Sequence, residues 1–323
     1  MAIKVRVALL GLFAIAVACG QEPTPPVPEA PKPTPIQVRS GLGLELSGVA
    51  RVEGGFLLAD DELVGAVTSI KSLDSPRTQL VKLYRRDREV NRLFPFEDVE
   101  DLAAVGDTIY VLGSHHGKER KKAWTRRAER EFIVRAGWDP EKGKLRVPAR
   151  KQDPAEHEVY TQLLDHLAAK QPDLIRGLNA EGLAVTQDHV HIGLRAPLTS
   201  DDKAVILRAK VTDLFGPKRA SFKGDFERLE LDLGQQGIRA LYWDPLSGRL
   251  LVVSGPVSDD PQASCGLWTY DLEAKAKTLT RIGSFPRGQG TLEALTRLDE
   301  TTLLLAFDSD ATQGRLLRWT WKR

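Results

Sequence analysis

Three glutamates and one arginine recur at one position of a short motif, and brought together they could do chemistry. The motif is a charged residue, a spacer, a leucine and a small or aromatic residue. Its copies are Glu100-Asp101-Leu102-Ala103, Glu181-Gly182-Leu183-Ala184, Arg239-Ala240-Leu241-Tyr242 and Glu293-Ala294-Leu295-Thr296, with a weaker one at Ser47-Gly48-Val49-Ala50. Carboxylates crowded into a partly desolvated space repel one another unless a cation, a shared proton or an arginine offsets them. Three arrangements are open. Arg239 can balance Glu100, Glu181 and Glu293 in an ion-pair ring, the same glutamates can hold a hard metal such as Ca²⁺, or one of them can act in acid/base catalysis.

The spacing of the motif says what must position these residues. Val49, Leu102, Leu183, Leu241 and Leu295 lie 53, 81, 58 and 54 residues apart, a repeat near fifty-five residues. Each copy leads into a turn and a β-rich run: Phe56–Ala59, Thr108–Gly113, His189–Leu194, Arg249–Ser254 and Thr301–Phe307. Two more strand-like segments complete most units: Gln79–Tyr84 with Val90–Phe94, Glu131–Ala136 with Lys144–Val147, Ala204–Val211 with Arg228–Leu233, and Leu267–Leu272 with Leu279–Gly283. Four strands per repeat is the blade of a β-propeller. The expected fold is therefore all-β, a single propeller over residues 36–323 with five four-stranded blades, six being the alternative if one unit splits. The last unit has only three strands, so Ile36–Arg39 is expected to supply the fourth and close the ring.

The long spacing of 81 is accounted for by a basic stretch, Lys118–Arg130, and by a helix from Pro154 to about Lys170. Asp153 would be its N-cap, and Val159, Leu163 and Leu167 its apolar stripe. Such a helix between the second and third blades could act as a lid. The basic stretch reads as a solvated loop, with an anionic surface as its alternative partner.

In a propeller the start of each first strand and the end of each second strand meet at one face. The ligand-binding face is thus expected to comprise Ser47, Glu100, Glu181, Arg239 and Glu293, ringed by Asp60, Asp61, Ser114, His115, His116, Arg195, Ser254, Asp308, Ser309 and Asp310. His115 and Glu181 are the candidate catalytic groups, and Glu100, Glu181 and Glu293 the candidate metal ligands. His189 and His191 share a strand face without a third ligand nearby, so packing is the plainer reading. No Gly-x-Ser-x-Gly elbow, phosphate-cradling glycine loop or paired-cysteine metal motif occurs.

The N-terminus reads as an export signal over residues 1–18. Lys4 and Arg6 precede an apolar run from Val7 to Val17, too short to span a bilayer. Ala16-Val17-Ala18-Cys19 resembles the lipobox of bacterial lipoproteins, with Ala16 where that motif usually has Leu. Lipid on Cys19 would then hold the protein to a membrane, the outer one in a Gram-negative host. Residues 19–35 follow as a tether with seven prolines. Without Lys4 and Arg6, 44 basic residues face 44 acidic ones, a balance that does not suggest nucleic-acid binding. Cys265 is the one other cysteine, so no internal disulfide is expected.

Glu100–Ala103 leading to Tyr110–His115, with Asn179–Leu183, Gly193–Leu198, Gly237–Arg239 and Trp243–Pro245, resembles the bacterial family of the domain of unknown function 3616, from about Glu100 to Asp310. Asp101 and Ala294 stand where the motif more often has Gly. The resemblance implies a propeller and supplies no activity. Two functions stay open: a tethered binding protein whose ring face recognises a small molecule, glycan or partner protein, and a Ca-type metal-dependent hydrolase of phosphoesters or lactones.

Overall fold

Each copy of the motif lies in the innermost strand of its own antiparallel sheet, and five such sheets follow one another round a ring in a computed structural model of the chain. The structure describes residues 34–37, 45–74, 77–86, 93–120, 123–146, 157–215, 225–258, 264–274, 278–286, 290–308 and 315–321. The signal, Cys19, Ser309 and Asp310 lie outside them, as does all of the tether but its last two residues.

Blade 1 runs from the centre outward as Leu46–Val52, Gly55–Asp60, Ala66–Ile70 and Thr78–Lys82. Blade 3 is Asn179–Val185, His189–Ala196, Ala204–Lys210 and Glu227–Leu231, and blade 4 is Gly237–Asp244, Arg249–Gly255, Cys265–Tyr270 and Leu279–Phe285. Blade 5 has Thr291–Arg297, Thr302–Asp308 and Arg315–Thr320, and its outer strand is Thr34–Gln37, paired as Thr34 with Arg318 and Gln37 with Arg315. The chain thus closes its own ring, which leaves no open sheet edge between first and last blades. Five buried apolar clusters, one at each interface between neighbouring blades, form the core.

Three expectations change. In blade 1, Ala66–Ile70 is the third strand, so the Gln79–Tyr84 segment becomes the fourth, and Leu93–Pro95 pairs instead with Tyr84–Arg86 in a separate hairpin. The Ala66–Ile70 run is five residues long and carries no strong hairpin signal of its own.

In blade 2, after Val99–Val105, Thr108–Gly113 and Ile133–Asp139, the outer strand comes in two pieces. Lys144–Arg146 covers only Gly137–Asp139, and His157–Tyr160 pairs with the edge left vacant at Ile133–Ala136. Val159 and Tyr160, good strand formers, are therefore not helical. The helix is shortened to Leu163–Lys170, and a one-turn helix at Val211–Leu214 adds to it.

The lid expectation is also corrected. Leu163, Leu164 and Leu167 are buried between blades 2 and 3 with Tyr110, Leu112 and Ile133, so this helix fills a wedge and belongs to the core. The basic stretch holds three of its arginines in ion pairs: Arg126 with Glu131 and Asp165, Arg127 with Glu97 and Glu129, and Arg130 with Asp98. Among the described residues no helix is long and apolar enough to cross a membrane.

Candidate functional site

Strict alternation would send residues three apart on a strand to opposite faces. Yet Leu46 and Val49, Val99 and Leu102, Ala180 and Leu183, Ile238 and Leu241, and Leu292 and Leu295 each share one inter-blade cluster. The register explains this. In every inner strand one residue is skipped: Leu46 pairs with Asp60 and Gly48 with Ala59, leaving out Ser47, and the same slip leaves out Glu100, Glu181, Arg239 and Glu293. A bulge re-aims the side chain of the extra residue. Five bulges therefore turn the motif's polar residues out of the pleat and into the channel.

The spacer that follows must be small, because neighbouring inner strands nearly touch there. A Cβ on Gly182 would come within 2.9 Å of Leu241 Cγ. Asp101 is the exception, and its carboxyl clasps two blades by accepting hydrogen bonds from the Leu102 (2.8 Å) and Leu183 (2.7 Å) backbone N–H groups. Burial pushes that carboxyl well above the usual range.

The five bulged residues line a cup of about 480 Å³ at one mouth of the channel. Arg195 and Asp308, expected on this face, also line it. Asp60 and His115 do not. Asp60 is buried, with its carboxylate accepting from the Glu62 N–H at 3.1 Å, and the next residue, Asp61, faces the cup. His115 is in the left-handed conformation (φ 55°), with its backbone N–H donated to Arg130 O. That turn inverts the alternation, so the imidazole is buried against Gly113 O (2.7 Å from Nδ1) and His116 takes its place at the cup. Burial lowers the His115 imidazole to about 4, which leaves it neutral at pH 7.

Asp98, Asn179 and Arg130 complete the polar wall, and none of these was singled out from the sequence for the site. Asp98 and Asn179 each stand two residues before a motif glutamate, an offset that could have marked them.

Arg239 sits between two of the ring's glutamates. Its Nη1 lies 3.0 Å from Glu293 Oε1 and 3.3 Å from Glu181 Oε2. Arg195 Nη1 holds the other oxygen of Glu181 at 3.0 Å, and both arginines donate to Pro256 O. Asn179 Nδ2 donates to Glu181 Oε1 at 2.8 Å. Arg130 pairs with Asp98 at 2.7 Å, and Ser47 Oγ donates to Val99 O. Glu100 and Asp61 have no cation or hydrogen-bond donor among the described residues. Burial, and then the field of the neighbouring carboxylates, raises Glu100 well above its ordinary range and Asp61 to about 7.

Among the described residues no three His, Cys, Asp or Glu side chains are grouped to hold a metal ion. Glu181 and Glu293 are engaged by guanidinium groups instead.

A second cavity of about 450 Å³ opens at the other mouth, where Tyr242, Trp243, Pro245 and Leu246 give it a more apolar wall. No residue lines both cavities. Val49, Leu102 and Leu183 line this second cavity and are buried.

Residues 151–317, more than half of the chain, match the family described as protein of unknown function (DUF3616). The chain belongs to the DUF3616 family. The matched span contains blades 3 and 4 and most of blade 5, and the resemblance at Glu100–His115 lies outside it. No curated protein matches this DUF3616 chain in sequence. Among solved structures it is similar to a glucose dehydrogenase at 11% identity, covering 88% of this chain and 99% of that one with a TM-score of 0.48. A soluble aldose sugar dehydrogenase from Escherichia coli in the apo form gives 9%, 90% and 100% with a TM-score of 0.45. A chain of a mitotic checkpoint complex gives 13%, 99% and 100% at 0.40. Likeness at this level carries nothing about chemistry, and the five-blade architecture of the DUF3616 chain rests on its own strand pairing.

The uncompensated carboxyl has a measurable consequence. A carboxyl whose folded pKa is raised keeps a proton that the unfolded chain gives up, so stability falls as pH rises from about 4.5 through the folded value. Glu100→Gln removes that dependence and is expected to stabilise the fold at pH 8 and not at pH 4. Denaturant midpoints at the two pH values measure this, and an equal shift at both would contradict the assignment.

Proposed function

We propose that this protein is exported, held to a membrane by lipid on Cys19, and that its propeller binds a small polar ligand in the acidic cup. One observation carries the binding reading: five separate bulges aim polar side chains into one cavity, where several polar atoms remain without hydrogen-bond partners. These are Asp61 Oδ1, Asn179 Oδ1, Glu181 Oε2 and Arg239 Nε. Buried groups left so are costly, and a ligand supplies what they lack. A cavity of this size with converging polar groups fits a small molecule better than a flat protein partner.

Hydrolysis has less support. The expected base, His115, is buried away from the cup, and Glu181 is shared between two arginines. Strand direction supports a sensible orientation for the tethered form. The cup lies at the start of each inner strand, while the chain enters the ring at Thr34, which pairs toward the opposite end of Arg315–Thr320. The tether would then leave on the side of the second mouth, with the cup facing away from the membrane.

The test of the binding reading is a thermal-shift screen of small polar compounds against the full chain in mild detergent. Compounds that bind are expected to raise the melting temperature, to lose that effect in Asn179→Leu, and to keep it in Tyr242→Ala at the other mouth. Hits indifferent to Asn179→Leu would move the site elsewhere. For the tether, Cys19→Ser is expected to shift the protein from the membrane to the soluble fraction, and unchanged membrane retention would sink that part.

A further inference from the structure

The charges of the cup are unevenly settled. Among the described residues seven carboxylates line it, Glu45, Asp61, Asp98, Glu100, Glu181, Glu293 and Asp308, against three guanidinium groups. All three cations are committed: Arg130 to Asp98, Arg195 to Glu181, and Arg239 to Glu181 and Glu293. Glu45 and Asp308 have interactions of their own, which leaves Asp61 and Glu100, on the side of blades 1 and 2. Beside them, Asn179 Oδ1 and Glu181 Oε2 make no hydrogen bond, and Glu181 is only 4% exposed. The open oxygens are acceptors, and the open donors, Arg130 Nε and Arg239 Nε, sit on guanidinium groups that are already ion-paired.

We propose, building on the cup as a ligand site, that its ligand is an organic cation: a protonated amine whose ammonium group seats at Asp61 and Glu100 while its other polar hydrogens reach Asn179 and Glu181. An anion meets more than twice as many carboxylates as guanidinium groups. A neutral polyol can donate hydrogen bonds but brings no positive charge, so with it these two carboxyls must stay protonated or bear an uncompensated charge. A bare metal ion needs a set of converging oxygen ligands, and among the described residues no such group of three exists. An ammonium group offers three donors and one positive charge, matching a site that has acceptors and negative charge to spare.

Both carboxyls are pushed upward by burial and by their neighbours, so they carry protons that an arriving ammonium must displace. Amine binding is therefore expected to release protons and to strengthen with pH. Displacing one proton from a group titrating near 7 makes binding about tenfold tighter at pH 8 than at pH 6, a range over which an alkylamine stays charged.

The experiment is calorimetry and thermal shift on the full chain in mild detergent, with butylamine and 1,4-diaminobutane against 1-butanol, butyrate and Ca²⁺, at pH 6 and pH 8. The amines are expected to bind and the other three not. Affinity should fall at least about tenfold in Asp61→Asn and in Glu100→Gln, the loss of one charge-assisted contact, and stay unchanged in Asp299→Asn at the other mouth. Both cup variants relieve repulsion, so they are expected to fold, and their melting temperatures check this. Equal binding of 1-butanol or butyrate, amine binding that survives both variants, no response to either amine, or binding of Ca²⁺ alone would each overturn the proposal. The two readings fail separately. Neutral compounds whose binding is lost in Asn179→Leu would keep the cup and discard the cation, whereas no compound responding to Asn179→Leu would discard both.

Discussion

Arg239→Met is expected to destabilise the fold by about 3–5 kcal/mol at pH 9, the range seen when one partner of a buried ion pair is removed. The pH matters because burial raises the Glu293 carboxyl to about 8, and it is charged only above that. Arg239 is 9% exposed, and the two glutamates it joins come from different blades, Glu181 from blade 3 and Glu293 from blade 5. Without the guanidinium, Glu293 has no other ion pair among the described residues, and Glu181 keeps only Arg195. The charge left behind sets the size of the loss, so the loss should shrink as pH falls through about 8 and Glu293 takes up its proton. Adding Glu181→Gln and Glu293→Gln to Arg239→Met should restore part of the stability, because it removes both carboxylates that Arg239 offsets, at the cost of the Arg195 pair with Glu181. Chemical denaturation of the single and triple variants decides the matter. A triple variant weaker than the single one would mean that the ring stabilises through packing and not through charge balance.

Arg297→Met is expected to cost a similar amount, about 3–5 kcal/mol, with no effect on the cup. Arg297 closes the opposite end of the same interface, between blades 4 and 5. Its Nε and Nη2 each lie 2.7 Å from the carboxylate of Asp244, which is 0% exposed. Nη1 donates to the Asp299 and Glu300 carbonyls, and the guanidinium stacks over Trp321 at 5.0 Å. Burial alone would raise the Asp244 carboxyl, but bonds from Arg297 and Ser247 outweigh it and hold the group below its ordinary value. This bridge therefore contributes stability above the unfolded pKa of about 3.9, and that contribution fades as pH falls through the lower folded value. In Arg297→Met that acid-side dependence should disappear, while compounds that bind the cup should still raise the melting temperature. A variant that kept its stability would show that the bridge contributes little, and one that lost cup binding would show the two ends of the channel to be coupled.

Much of this was legible in the residues. The recurrence of a charged residue, a spacer and a leucine at about fifty-five residues gave the blade count. The missing fourth strand of the last unit, set against a lone strand-like segment at residue 36, gave the closure. Both readings work because a propeller repeats one supersecondary unit and must satisfy its edges. The pair of apolar residues three apart, as in Leu46 and Val49, also stood in the sequence as a sign of a bulge, since no unbroken strand buries both on one face.

The departures share a cause. His157–Tyr160 reads as helix because an N-cap pattern precedes it, and it became strand because Ile133–Ala136 had an unpaired edge that only the folded blade exposes. The sequence places Asp60, Asp61, His115 and His116 all on the ring face, and strand alternation does not say which of each pair points inward past the strand end. A left-handed residue and a side-chain turn reverse it there.

By itself the sequence determined the repeat, the five blades and the five residues that meet at one mouth, because these depend on local pattern and on the strand's two-residue period. Which glutamate is paired and which is left uncompensated were decided only by the tertiary structure. Those properties depend on distances between side chains far apart in the chain, such as Arg239 to Glu181 and Glu293, 58 and 54 residues away. They depend also on how far burial strips water from each charge, a quantity that no linear spacing encodes.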